Sequence, residues 1–441
     1  MLGGTASRPA PMNLRSLLQP GVRQREFWSW ACYDFANSSY TTVVSTAVFN
    51  VYFVATVAAD RPWATFAWTL AVSLAAAVVM ALGPLIGAAA DASGRKQPWL
   101  RASTLACVVG TLGLMAVGPG DVALAIVFVV ISAVGFGLGE GVIAAWLPLL
   151  GRPHALGRLS GYGWALGYLG GLAALALCLV YVQVAQARGA GAADFVPGCM
   201  AITAVFFALA ALPGLLVLGE HAPQRPPPRG SLVDEAFGRL HRTWREGIHL
   251  TDLRRLLLTI AGYQSGVAIV VALAAIYAQQ AMGFDTADTL ELVLVVNITA
   301  ALGAFAFGWV QDRIGHGRAL KLSLWLWLAM VATAYFATTR SQFWVAANLA
   351  GIAMGASQSA GRAMVAYLSP PDRVAEYFGL WSVAMRIATI VGPICYGLAT
   401  IVLAGNHRLA MLCTGAFFAF GLVVLHGVDV QRGRAAAYPA A

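Results

Sequence analysis

Apolar residues in this chain come in long blocks parted by short polar joints, Phe66 to Ala90 and Val122 to Leu147 being two of them. Each block exceeds the roughly 20 residues that an α-helix needs to cross the hydrocarbon core of a bilayer. The pattern predicts twelve membrane helices, near 27–57, 66–90, 99–117, 122–148, 161–185, 198–219, 255–282, 290–310, 320–338, 343–367, 378–403 and 408–428.

Composition excludes the alternative of a soluble fold. The 441 residues are 59% hydrophobic and 11% charged, where a water-soluble chain carries roughly a quarter charged residues. An all-α membrane protein is the fold class expected.

The cations sort by side. Arg61, Arg188, Arg340 and Arg408 fall in one set of joints, Arg362 and Arg386 fall inside apolar blocks, and the rest of the 28 Lys and Arg lie in the opposite joints and the two ends. The positive-inside rule then places both termini and the long central loop in the cytoplasm, with the plasma membrane as the expected location. The net charge of +9 therefore faces anionic lipid headgroups and implies no nucleic-acid function. Six cysteines, Cys32, Cys107, Cys178, Cys199, Cys395 and Cys413, all lie in apolar blocks without metal-ligand spacing and read as packing residues. Residues 1–26 lack an apolar core followed by a small-residue cleavage site, so the first helix is expected to direct insertion.

Composition shifts at 220–254, which opens with Pro223, Pro226, Pro227 and Pro228 and continues with charges around Trp244 and Ile248. This reads as a cytoplasmic linker, partly an amphipathic surface helix. It divides the chain into a segment 1–26, a six-helix bundle 27–219, the linker, a second six-helix bundle 255–428 and a tail 429–441. One constant offset separates Gly87 from Gly308, Asp91 from Asp312, Gly171 from Gly392 and Ala145 from Ala366, the mark of an internal duplication. Chance accounts for the alanine pair.

The first copy of the repeated joint runs Gly87-Ala-Ala-Ala-Asp91-Ala-Ser-Gly94-Arg95-Lys96, and the second, from Gly308, carries Asp312, Arg313, Gly315 and Arg318. Glycine allows close helix approach and a sharp turn, an Asp can engage a neighbouring helix N-terminus, and the basic residues stay among headgroups. Such a loop can latch one conformation, so these residues are assigned to gating. The joint resembles the signature loop of the major facilitator superfamily.

Further stretches resemble one branch of that superfamily. Tyr33-Asp34-Phe35-Ala36-Asn37-Ser38, the run Gly-Trp-Ala-Leu-Gly-Tyr-Leu-Gly-Gly at 163–171, Gly-Ala-Ser-Gln-Ser at 355–359 and Pro-Pro-Asp-Arg-Val-Ala-Glu-Tyr-Phe-Gly at 370–379 are similar to the vacuole-effluxer-like, autophagy-related amino-acid effluxers and their bacterial members. The resemblance covers nearly the whole chain. It implies twelve helices in two pseudo-symmetric six-helix bundles (the major facilitator fold), with amino-acid efflux as the activity.

Ionisable groups inside membrane blocks are the candidates for chemistry. Asp34, Ser38, Thr41 and Ser45 recur at helical spacing with Asn37 beside them, a polar stripe suited to a cavity or a neighbouring helix. Asp34 could bind an ammonium, pair with an Arg or carry a proton. Glu140, flanked by glycines, suits proton coupling or a buried ion pair. Gln358 and Arg362 share a face of one helix and Arg386 lies two turns into the next, so either Arg could answer Asp34 or Glu140, or hold a substrate carboxylate. Snorkelling to the cytoplasmic end is the competing role for Arg362. Tyr263 and Gln264, with Ser265, and Asn297 are candidate cavity-lining groups. Gly163, Gly167 and Gly171 at every fourth position read as helix packing, as does Gly392 with Pro393.

No phosphate-cradling loop or zinc-like histidine cluster occurs. The expectation is a transporter that is not an enzyme, has no cofactor, is driven by a solute or proton gradient and functions as a monomer among membrane lipids. The fifth block lacks the Gly-Pro pair of proton-coupled drug antiporters, which weighs against multidrug efflux. Rival readings are a carrier of another small organic solute (a drug, an organic anion or a metabolite) and a non-transporting receptor of the same fold.

Overall fold

The computed structural model describes residues 14–59, 61–221, 251–282, 286–403 and 407–438, with Gly238 and Phe284. Twelve long helices make up the described chain. The N-terminal half holds α1 (Gln24–Tyr40), α2 (Ala64–Ser93), α3 (Gln97–Gly113), α4 (Val122–Ala144), α5 (Leu156–Ala187) and α6 (Ala192–Val217). The C-terminal half holds α7 (Thr251–Met282), α8 (Thr286–Ile314), α9 (His316–Phe336), α10 (Arg340–Leu368), α11 (Val374–Val402) and α12 (His407–His426), and a short tail helix α13 (Val430–Ala437) follows. Ten spans, counting α1 through to Val57, are long and apolar enough to cross a membrane. The other two, α7 and α10, are as long, at 32 and 29 residues, and carry Gln264, Gln358 and Arg362. The linker's amphipathic stretch around Trp244 and Ile248 lies outside the described residues.

Polarity is arranged inside out. Phe336 (73%), Leu216 (71%) and Val402 (80%) are exposed, while Asp34, Asn37, Ser132, Ser160, Gln264 and Arg362 are buried. Lipid tails offer helices no hydrophobic reason to associate, so close packing at small residues and buried hydrogen bonds must hold the bundle. Both devices are visible where the halves meet. Along the α2–α11 seam, a Cβ on Gly379 would lie 2.7 Å from the Gly83 carbonyl oxygen, and one on Gly87 would run into the Ala375 carbonyl. Along the α5–α8 seam, a Cβ on Gly308 would lie 2.9 Å from the Gly157 carbonyl oxygen, and Gly161 abuts Ala304.

The α2–α3 and α8–α9 turns close through Gly94 (φ +64°) and Gly315 (φ +92°), a conformation that L side chains rarely adopt. Gly94 and Gly315 stand at the same offset as Gly87 and Gly308, which extends the duplication by one position.

The end carrying these turns also carries two straps. Residues 14–23 lie over the α4–α5 turn: Gln19 N–H donates to the Leu150 carbonyl at 2.9 Å and Arg152 N–H to that of Leu17 at 2.9 Å, burying Leu17 and Leu18. At the other strap, Arg432 on α13 makes two 2.7 Å bonds to Asp252 at the start of α7, and Arg434 donates to the Tyr367 carbonyl on α10 at 2.7 Å. The Arg432 guanidinium holds the Asp252 carboxyl, which precedes the apolar span, below the usual carboxylate range. Because that pKa is depressed, the clamp is at full strength above the ordinary carboxylate range and is lost as pH falls through the folded value. Arg432→Gln is therefore expected to free the tail at neutral pH, read as faster tryptic cleavage after Arg434.

Within the first span the α-helix ends at Tyr40 and gives way to π-helical turns at Thr41–Ala47 and Phe53–Val57. Val48 N–H donates to Val43 and Ala58 N–H to Phe53, both five residues back. The wider turn rotates the chain away from α-helical phase, so the spacing that groups Ser45 with Asp34 does not hold beyond Thr41.

Candidate functional site: ion pairs that join the two halves

Both acids predicted inside the span lie on the N-terminal half, and both guanidiniums lie on the C-terminal half. Arg362 (α10) donates from Nη1 to Asp34 Oδ2 (α1) at 2.7 Å, and Arg386 (α11) donates from Nη2 to Glu140 Oε2 (α4) at 2.6 Å. The first pair is dry, with side chains 3% and 10% exposed, and the second is wetter, at 17% and 19%.

Arg362 is held on every side. Its Nε donates to Ser160 Oγ at 3.1 Å and its Nη2 to the Ser160 carbonyl at 2.9 Å, while Ser160 Oγ itself donates to the Ser359 carbonyl at 2.9 Å. The guanidinium also lies 4.8 Å from the Trp30 ring centre and 5.3 Å from that of Trp164. At 3% exposure it does not snorkel; it locks α10 to α1 and α5. Gly163 sits opposite: a Cβ there would lie 2.7 Å from Arg362 Nη2 and would collide with Asp34 Oδ2. Gly167 and Gly171 face Ser38, and Gly170 abuts the Phe35 carbonyl. The glycine series thus seats α1 on α5, and its first member makes room for the ion pair.

Around the second pair, Arg386 lies 5.6 Å from the centre of the Phe136 ring, which stacks on Tyr40 at 5.2 Å. Arg386 Nε and Asn37 Oδ1 are buried without a hydrogen-bond partner. Ser38 and Thr41 are half-buried, and Thr41 Oγ1 donates to the Ser38 carbonyl at 3.1 Å. On α7, Tyr263 Oη donates to the Ser357 carbonyl at 3.2 Å and Gln264 Nε2 to Gln358 Oε1 at 2.5 Å, tying α7 to α10 within one half. Asn297 donates to the Val293 carbonyl on its own helix and takes no part in the cluster. Gly392 packs on the Ser265 carbonyl with Pro393 exposed beside it, repeating for α11 on α7 the contact that Gly171 makes for α5 on α1.

The duplicated loops latch the halves symmetrically. Asp91 Oδ2 accepts the Glu376 N–H in the first turn of α11 at 2.9 Å and pairs through Oδ1 with buried Lys96 at 3.5 Å. Asp312 accepts the Gly157 N–H at 3.0 Å and the Arg158 N–H at 3.3 Å in the first turn of α5, with Arg158 Nε at 2.6 Å. Each carboxylate thus meets the positive end of a helix dipole in the opposite half. Arg95, Arg313 and Arg318 are exposed, in keeping with a headgroup position, whereas Lys96, expected there with Arg95, is 1% exposed and turned inward onto the Asp91 carboxylate instead. Ser160, Trp30, Trp164, Gly157 and Arg158 are the residues that sequence reasoning passed over. Only Gly157, four residues before Gly161, carried a signal.

Twelve helices in two halves, clasped at one end by duplicated Gly-x-x-x-Asp loops, make this a transporter of the major facilitator fold. The vacuole effluxer Atg22-like family matches residues 156–438, and the chain belongs to that family. It is 26% identical over 404 residues to the "Uncharacterized MFS-type transporter YxiO" of Bacillus subtilis (strain 168), spanning 90% of this chain and 93% of that protein. It is also 26% identical over 302 residues to "Autophagy-related protein 22" of Cryptococcus neoformans var. neoformans serotype D (strain B-3501A), spanning 63% of this chain and 53% of the relative. Among solved structures, the human organic anion transporter MFSD10 (TETRAN) superposes with a TM-score of 0.69 at 17% identity, over 92% of this chain and 100% of that one. The proton:xylose symporter XylE superposes at 0.68 and 14% identity, over 92% and 95%.

Proposed function

We propose that the protein carries amino acids or similar small zwitterions by alternating access, the six-helix halves 27–219 and 255–428 rocking about a site near Glu140 and Arg386. The observation that carries this reading is the segregation of charge: carboxylates on one wall and guanidiniums on the wall facing it. A zwitterion can meet both, its ammonium at Glu140 and its carboxylate in hydrogen-bonded contact with Arg386, whose Nε is free of a partner. Asp34, Arg362 and Ser160 form the gate beneath it, and the Asp91 and Asp312 latches hold the cytoplasmic end shut. The positive-inside distribution supports cytoplasmic termini in a bacterial inner membrane, and the working unit is a monomer. The description of the matching family as vacuole effluxer Atg22-like supports efflux as the direction for this chain.

Counterflow of radiolabelled neutral amino acids in proteoliposomes, with and without a pH gradient, tests the proposal. Labelled solute is expected to accumulate against unlabelled solute inside, and a gradient dependence would assign a proton to the cycle. If a folded protein moves organic anions lacking an ammonium but no amino acid, the zwitterion reading falls and that rival takes its place.

A further inference from the structure

We propose that the protein is an exchanger: it crosses from outward to inward with solute aboard, and the empty carrier stays clasped. This rests on the zwitterion reading above and adds to it the mode of transport.

Opening the clasped end draws α10 and α11 away from α1, α4 and α5, so the Asp34–Arg362 and Glu140–Arg386 pairs both part. All four charges would then stand unpaired, two carboxylates on one wall and two guanidiniums on the other. A buried pair separated without replacement is costly, because each ion has left water and gains no new partner. Arg362 loses most, since Asp34, both Ser160 acceptors, Trp30 and Trp164 all belong to the half it leaves. No acid on the C-terminal half accompanies either Arg in these contacts.

Solute changes this balance at one pair and not the other. Arg386 is between five and six times as exposed as Arg362, and Glu140 about twice as exposed as Asp34. A bound zwitterion offers a cation to Glu140 and an anion to Arg386 as they separate, so their pairing is replaced charge for charge. The empty carrier has no such substitute and must strand both pairs at once. Loaded reorientation is therefore fast and empty reorientation slow, and flux in one direction depends on solute returning in the other.

Two measurements test this. In proteoliposomes, exchange of labelled for unlabelled solute is expected to outrun net efflux into solute-free buffer by about a hundredfold, the factor that one stranded pair implies. Independently, spin labels on His154→Cys in the α4–α5 turn and Arg254→Cys in the first turn of α7, both exposed positions, placed in a cysteine-free background, report the gap between the halves at the clasped end. The solute-free protein is expected to show a single short distance, and added alanine a second, longer one. Glu140→Gln combined with Arg386→Gln removes the charges of one pair, and is expected to bring a long-distance population into the solute-free protein. Net efflux as fast as exchange, or a large open population without solute in the native protein, would overturn the proposal. If no zwitterion is exchanged while the solute-free protein stays closed, the substrate reading fails and the locked empty carrier stands.

Discussion

Arg362→Gln is expected to abolish counterflow in a correctly inserted protein and to leave the cytoplasmic end open. The substitution removes the partner of Asp34 and leaves its carboxylate 8% exposed among α1, α5 and α10. Deleting one member of a buried pair costs about 3–5 kcal/mol because the survivor keeps its desolvation and loses its counter-charge. That cost falls on the clasped state, where the pair exists, and so the equilibrium shifts toward the open cytoplasmic end. The double substitution Asp34→Asn with Arg362→Gln puts two amides where two ions stood. It is expected to leave the cytoplasmic end less open than in Arg362→Gln, since no unpaired ion strains the closed state, yet more open than in the native protein, since no ion pair opposes separation. Undiminished counterflow in Arg362→Gln would remove the gate from the mechanism, and a double variant as open as the single would show that charge balance is not what holds it.

The second large effect is expected from adding a side chain to the seams. In Gly87→Val the new atoms press on the Ala375 carbonyl and lie 2.9 Å from Glu376 Cα, and in Gly308→Val they meet the Gly157 carbonyl at 2.9 Å. Backbone of the opposite half cannot yield as a flexible side chain would, and overpacking of this kind costs about 1–3 kcal/mol. Here the strain has an outlet: the halves can part. Each variant is expected to fold, to raise the inward-facing population and to slow exchange, read by cysteine labelling at the cytoplasmic end. Gly415→Ala serves as the control, since a Cβ there meets Val331 at an ordinary 3.4 Å, and it is expected to transport normally. A Gly87→Val protein as closed as the native one would show that the seam does not carry the rocking motion.

Much of the fold could be read from the chain because membrane helices announce themselves by length and apolarity, and all twelve expected blocks coincide with helices to within a few residues. The ends differ in a consistent way. The α5 helix starts at Leu156 where the apolar block starts at 161, since its first turn is capped by Asp312 and needs no lipid. The four intramembrane charges were equally visible, being rare in such blocks. Which acid meets which base was not, because the pairing depends on how helices far apart in sequence rotate against each other. Ser160 illustrates the harder limit: a serine in an apolar helix is commonplace, and only the packed position of Arg362 gives this one a task. The π-helical turns after Tyr40 were hidden for a similar reason, since no Gly or Pro in Thr41–Ala47 marks the change of phase.

The charge segregation between the halves also has an electrical meaning. Asp34 faces Arg362, and Glu140 faces Arg386, across the gap between bundles that stand side by side in the bilayer, so the pairs separate chiefly along the membrane plane. A membrane potential does work only on displacement along the normal, about 2.3 kcal/mol for one charge carried through 100 mV. The protein's own gate is therefore nearly blind to voltage despite its four ions. Any current or steep voltage dependence measured during turnover would belong to the cargo and its companion ions, and a net-neutral zwitterion exchanged for another would leave the membrane potential undisturbed.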